Sequence, residues 1–199
     1  MVLIVCMSGK RKSGKDFTCI LLAKLLTDRD ISVEIRSLSH PLKDEFAKIN
    51  DLDSCELKTS SHYKEIYRRR MVKWGEDQRR IDPHIFCKKT MEKMIRSEVV
   101  IISDCRRKSD IEYFQETYTN SVITVRMLAG EKSRIKRGYE FTPGIDDAET
   151  ECGLDNWPRW DILVLNNEED VEEQDFPLDA HLCKIVELVL AMKKIKTRR

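Results

Sequence analysis

The stretch "SGKRKSGKDF", residues 8 to 17, follows directly on the apolar run "MVLIVCM" and leads into "FTCILLAKLL". A short, continuously apolar run reads as a buried strand over residues 2–7, and Phe17, Ile20, Leu21 and Leu25 fall at helical spacing. A helix therefore begins near Lys15, and the turn between carries the spacing G-x-x-x-x-G-K of a phosphate-binding loop. Gly9 and Gly14 let the backbone turn tightly and aim its N–H groups at the phosphates. Lys10, Arg11, Lys12 and Ser13 fill the loop, and Lys15 reaches the β- and γ-phosphates. Asp16 stands where such loops place Ser or Thr to hold magnesium. Mg²⁺ prefers hard oxygen ligands, so a carboxylate holds it directly or through water. Lys10, Arg11, Lys12 and Lys15 offset the added negative charge beside a triphosphate.

The rest of the chain alternates strands and helices. "ISVEIRSL" (31–38) alternates as a second strand, and Pro41 opens a helix through "PLKDEFAKI". Apolar positions 63, 66, 67, 71 and 74 mark a long helix, and Asp82-Pro83 starts another that runs to about Arg96. "VVIISD" (99–104), "VITVRM" (122–127) and "DILVLN" (161–166) read as strands, and Ser109-x-x-Glu112 as a capping box. An amphipathic helix with a basic end closes the chain. This order predicts an α/β fold, a three-layer open parallel five-stranded sheet with helices on both faces. A chain of 199 residues suits one domain, with the loop at 9–16 and an acceptor-binding helical region at about 40–96. Residues 130–153 hold glycines 130, 138, 144 and 153, and read as a mobile lid or as a surface loop.

The formal net charge of +1 argues against a general polyanion binder, so no nucleic-acid partner is expected. Charge is concentrated locally instead. Positions 62–80 carry seven bases against three acids, and 168–175 carry six acids and no base. Such clusters suit a small anionic ligand. Seven scattered cysteines without C-x-x-C fit reduced thiols in the cytoplasm. The apolar start runs straight into the glycine loop, which is unlike a signal peptide, and no stretch approaches a membrane span. No heptad seam is left over, so a monomer is expected. The terminal "TRR" is no peroxisomal S-K-L-type signal, although a peroxisomal location stays open beside the cytosol.

Beyond the loop, Asp104 ends a buried strand, where α/β sheets gather their ligands. It is placed either to orient a magnesium shell or to make a structural salt bridge. Arg106 and Arg107 follow at once and are placed to bridge two reacting phosphates. Lys64 and Arg68 share a helix face, with Arg79 near the helix end, forming a cationic stripe for an acceptor phosphate. Arg134 and Arg137, three apart on a short helix that Gly138 caps, would come onto the transferring phosphoryl group as the lid closes. Arg126, at the end of the fourth strand, is placed to join them. The four histidines lack metal-ligand spacing.

"SGKRKSGKDF" resembles the phosphate loop of the animal-type phosphomevalonate kinases, relatives of the nucleoside monophosphate kinases. The likeness continues in "PLK" (41–43), "YKE…R…WGE" (63–76), "SDCRR" (103–107) and "FTPGIDDAETECGLDN" (141–156). It implies ATP-dependent conversion of 5-phosphomevalonate to 5-diphosphomevalonate, a step of isoprenoid biosynthesis. The resemblance places Lys43, Lys64, Arg68 and Arg79 on the substrate side, and Lys88 where the family often has Arg. It sets Asn167 near the adenine, and Glu168 replaces a histidine found there in the human-type sequence. A phosphate monoester has its second pKa near ~6, so such an acceptor is already ionised and needs no general base. It needs charge neutralisation, which an Arg- and Lys-rich cluster with Mg²⁺ provides. The nearest alternative is a nucleoside monophosphate kinase.

Overall fold

The computed structural model describes residues 2–59, 62–167 and 178–197, without the side chains of residues 196 and 197. The acidic run 168–175, including Glu168, and the last two residues of "TRR" lie outside the described residues. Five strands are present among those described: β1 Leu3–Gly9, β2 Val33–Arg36, β3 Val99–Cys105, β4 Val122–Leu128 and β5 Ile162–Leu165. They pair in parallel in the order β2-β3-β1-β4-β5, with Ile4 opposite both Val100 and Val122. The helices are α1 Lys15–Thr27, α2 Ser39–Asn50, α3 Ser54–Lys58, α4 His62–Ile81, α5 Ile85–Met91, α6 Lys108–Thr117, α7 Glu131–Lys136, α8 Glu149–Cys152 and α9 Leu178–Thr197. No helix among the described residues is long and apolar enough to cross a membrane.

Central β1 is buried along its whole length, as its unbroken apolar run requires of a strand covered on both faces. Its odd positions Leu3, Val5 and Met7 join Cys19, Leu22 and Leu26 of α1 and Leu182, Ile185 and Val189 of α9 in one core. The even positions Ile4 and Cys6 face the other way, where α6 brings Ile111 and Phe114, also fully buried. The result is a three-layer α/β sheet.

Several local expectations shift. The helix expected from Phe17, Ile20, Leu21 and Leu25 is present and begins at Lys15, but of the four only Leu21 and Leu25 pack against the core. Phe17 and Ile20 are 60% and 62% exposed, and the neighbouring stripe Cys19–Leu22–Leu26 is buried instead. A helix apolar on two adjacent stripes leaves that choice to the sheet. β2 is shorter than 31–38, although Ile31 is buried just before it. α5 starts at Ile85 and ends at Met91, because the Asp82 carboxylate accepts from the His84 N–H and holds a turn first. The acid that caps α6 is Asp110 rather than Glu112: its Oδ2 accepts from the N–H groups of Arg106 and Arg107 at 2.9 and 3.0 Å.

The chain packs as two compact units, Met1–Arg36 with Arg96–Arg199, and Ser37–Ile95. The second has its own core of Phe46, Ala47, Leu57 and Met71, against which Leu42 and Trp74 pack. Gly75 on α4 lets Leu42 of α2 approach, since a Cβ there would lie 2.7 Å from Leu42 Cδ1. Trp74 sits between Phe46 and Phe86, with ring centroids 6.0 and 6.1 Å away.

Candidate active site

In the first unit, β1 ends at Gly9 and α1 begins at Lys15, so the glycine loop leaves the carboxyl end of the central strand. Gly14 caps α1 in the left-handed region at φ 93°, and a Cβ there would lie 2.2 Å from Asn166 Nδ2. Three consecutive loop carbonyls are held by donors from outside the loop. Arg134 Nε donates to Arg11 O at 2.8 Å, Arg137 Nη1 to Lys12 O at 3.3 Å, and Asn166 Nδ2 to Ser13 O at 2.9 Å. In a trans peptide the N–H points opposite to the C=O, so these bonds turn the N–H groups of residues 12–14 to the other side. That of Ser13 closes a turn on Lys10 O. The Ser13 hydroxyl is buried and makes no hydrogen bond among the described residues.

Lys15 is buried, and its Nζ donates to Gly9 O at 2.5 Å and Lys10 O at 3.1 Å. Burial, helped by the Arg106 charge, lowers its pKa to about 8, while Glu151, Asp16 and Asp104 pull the other way. Those charges converge on Lys15 from the start of α1, the end of β3 and α8. Asp16 is exposed and Asp104 half-buried, so both carboxylates retain access to a hydrated cation. Among the described residues no group of three or more His, Cys, Asp or Glu forms a metal cage. Two acids beside a phosphate loop nonetheless match how Mg²⁺ is usually held, by one or two carboxylates plus substrate phosphates.

The cations expected to hold phosphates are engaged by acids of the segment after α7. Lys10 Nζ lies 2.7 Å from Asp155 Oδ2, and Arg126 Nη2 lies 2.6 Å from Asp155 Oδ1. Arg126 is buried within β4, with Nη1 donating to Ser8 Oγ at 2.9 Å and its guanidinium 5.8 Å from the Trp160 ring centroid. Arg11 Nη1 lies 2.8 Å from Asp146 Oδ2. Arg106 Nη1 pairs with Glu151 Oε1 and donates to Thr150 O at 3.2 Å. Burial works against the Arg106 charge, but Glu151, Asp104 and Asp110 outweigh it and raise its pKa. Arg107 is buried at the start of α6. Asp146, Glu151 and Asp155 were missed as site residues. The motif that contains them marked a resemblance, but no spacing links them to the loop.

Gly138 does cap α7. At φ 75° it donates to Ile135 O, and Tyr139 donates to Arg134 O, the paired bonds of a Schellman motif. Tyr139 is buried, and the Arg134 guanidinium lies 3.7 Å from its ring centroid. Asn167 Oδ1 accepts from the Gly130 N–H at 2.7 Å, so the twin asparagines fasten the end of β5 to two segments. A cavity of about 620 Å³ opens beside the loop, with Lys10, Arg126 and Arg134 on its polar side and Trp157, Trp160 and Leu163 on its apolar side.

The second unit carries the other expected cations. Lys64, Arg68 and Arg79 lie on α4, Lys43 on α2 and Lys88 on α5. Arg68 Nη1 pairs with Glu65 at 2.8 Å, and Lys88 with Asp82 at 2.8 Å. Arg79 donates to Pro83 O at 3.4 Å and lies 5.0 Å over the Phe86 ring.

Comparison with known proteins adds a lineage to this geometry. The family model described as "Phosphomevalonate kinase" matches residues 7–120. A phosphomevalonate kinase of Drosophila melanogaster is 40% identical over 185 residues, covering 90% of this chain and 96% of that one. Among solved structures, shikimate kinase from Acinetobacter baumannii aligns with a TM-score of 0.51 at 15% identity, over 96% of this chain and 94% of that one. The APS kinase of Mycobacterium tuberculosis aligns at 0.50 with 12% identity, over 94% and 97%. At such identities the likeness to these two shows the fold alone.

Proposed function

This chain belongs to the phosphomevalonate kinase family, and on that premise we propose that it transfers the γ-phosphoryl group of ATP to 5-phosphomevalonate, giving 5-diphosphomevalonate and ADP. The observation that carries the reading is the 40% identity to a phosphomevalonate kinase across nine-tenths of the chain. The site's chemistry agrees with it. Both reactants are anions, and the residues gathered around the loop supply positive charge and backbone N–H groups.

In this reading the loop residues Gly9 to Asp16 hold the β- and γ-phosphates, with Lys15 reaching across them. Arg106 and Arg107 stand between donor and acceptor phosphates, with Lys10 and Arg11 neutralising charge beside them. Asp16 and Asp104 would hold Mg²⁺, which when bound neutralises charge on the β- and γ-oxygens. The cavity beside the loop is of a size that accommodates a nucleoside, near Asn167. Residues 130–153 act as the lid that excludes water, bringing Arg134 and Arg137 with it. The helical unit supplies the acceptor site through Lys43, Lys64, Arg68, Arg79 and Lys88, with Arg126 as a further substrate contact. The protein works as a monomer in the cytosol, within the mevalonate route to isoprenoid and sterol precursors.

The test is ADP release with Mg·ATP against 5-phosphomevalonate, mevalonate, AMP, CMP, UMP and GMP. Turnover confined to 5-phosphomevalonate is the expected result. Turnover on a nucleotide alone would move the function to a nucleoside monophosphate kinase.

A further inference from the structure

Among the acids of its segment that meet the loop, Glu151 reaches the loop's backbone rather than a side chain. Its side chain is only 2% exposed, yet it bonds the phosphate loop itself: Oε2 accepts from the Arg11 backbone N–H at 2.9 Å. Its other oxygen, Oε1, pairs with Arg106. One carboxylate thus bridges a backbone N–H of the loop and the arginine at the end of β3. A phosphoryl oxygen in that place would accept from the same two donors, and a carboxylate is its nearest side-chain equivalent in charge and acceptor geometry. The Glu151 charge, with those of Asp16 and Asp104, opposes the fall in the Lys15 pKa. Arg11 is held twice by this segment, at its N–H by Glu151 and at its guanidinium by Asp146.

We propose that Glu151 is a specificity-determining residue whose carboxylate occupies the place of the transferring phosphoryl group, so that a nucleoside triphosphate must expel it and a diphosphate does not. This rests on the nucleotide reading of the loop given above. ATP, whose γ-phosphate needs those donors, displaces Glu151. Once that phosphoryl group has moved to the acceptor and left, ADP no longer competes for the donors and Glu151 returns. The carboxylate therefore weakens ATP binding selectively and narrows the difference in affinity between ATP and ADP. Removing it takes away a competitor for one ligand only, which is the arithmetic of a population tax.

The experiment is calorimetric titration of the full chain with a non-hydrolysable ATP analogue and, separately, with ADP, both with Mg²⁺. Wild type is compared with Glu151→Gln and with Glu151→Asp. The second variant keeps the charge while drawing the carboxylate back by one methylene, which guards against a folding defect in the first. The expected result is about threefold to tenfold tighter analogue binding in Glu151→Gln, a smaller gain in Glu151→Asp, and ADP affinity changed by less than about twofold. Equal weakening for both nucleotides would make Glu151 a mere support for Arg106 and overturn the proposal. An unchanged analogue-to-ADP ratio in both variants would overturn it too, with nucleotide binding intact. A wild type that binds neither nucleotide would overturn the loop assignment itself, and the proposal with it.

Discussion

The two units hold the cations expected at the site in opposite ways. In the helical unit, the described partners of the expected acceptor-site cations are close in sequence. Arg68 pairs with Glu65 three residues away, Lys88 with Asp82 six away, and Arg79 reaches Pro83 O four away. In the sheet unit the partners of the loop span the chain: Arg11 meets Asp146 across 135 positions, and its N–H meets Glu151 across 140. Burial sets two of the sheet unit's acids apart. The Glu65 side chain is 48% exposed, whereas those of Asp146 and Glu151 are 3% and 2%. Local exposed pairs cost little to make or break, so that unit presents charge without committing it. Distant pairs with buried acids tie the glycine loop to the segment after α7, and removing the cation from one strands a carboxylate away from water.

The largest expected effect bears on the sheet unit alone. Lys15→Met should cut turnover by about a thousandfold, as for loss of a key transition-state donor, while the melting temperature holds. ADP-release kinetics beside a thermal melt check both halves, and near wild-type turnover would break the loop assignment. Next, Asp146→Asn should destabilise the protein by about 2 kcal/mol, since it leaves the Arg11 guanidinium without its buried acid. Urea unfolding would register this as a lower midpoint with an unchanged slope.

A smaller effect follows from pH. Burial lowers the Lys15 pKa from 10.5 to about 8, so the free protein loses that proton as pH rises past 8. The unfolded chain then binds more protons than the folded one between about 8 and 10.5, and the ligand-free fold gains stability across that window. Nucleotide affinity should move the other way, weakening by up to about tenfold per pH unit above 8 because binding requires the ammonium. Titrations in buffers of different ionisation enthalpy would reveal the accompanying proton uptake, and flat affinity from pH 7 to 9.5 would contradict it. The smallest effect belongs to the helical unit. Glu65→Gln should change stability by less than about 0.5 kcal/mol, and a loss as large as that of Asp146→Asn would erase the contrast between the units.

What could be read from the sequence divides along similar lines. The strands, the loop and the glycine cap of α7 are encoded within a few residues, by unbroken apolar runs and glycines at fixed spacings, and their places were legible. Asp110 was misread because its capping partners precede it by three and four residues, while a serine and a glutamate nearby matched a better-known pattern. The exposure of Phe17 and Ile20 was not legible because α1 is apolar on two adjoining stripes, and only the sheet decides between them. The acids that meet Arg11, Arg106 and Lys10 leave no periodic trace. Their partners lie between 45 and 145 positions away, so only the folded chain brings them together.

Arg134 on α7 and Arg137 at its end hold the carbonyls of Arg11 and Lys12 from the segment proposed above as a lid. Each guanidinium offers several donors, but each side chain has one reach. If α7 swings, the loop loses those two bonds at the same moment, so the order of the loop and the position of the lid become one equilibrium rather than two. A nucleotide would then arrive at a loop whose stiffness is set by how long the lid stays down. Its association rate would report opening of the lid, and its residence time the re-formation of those same bonds.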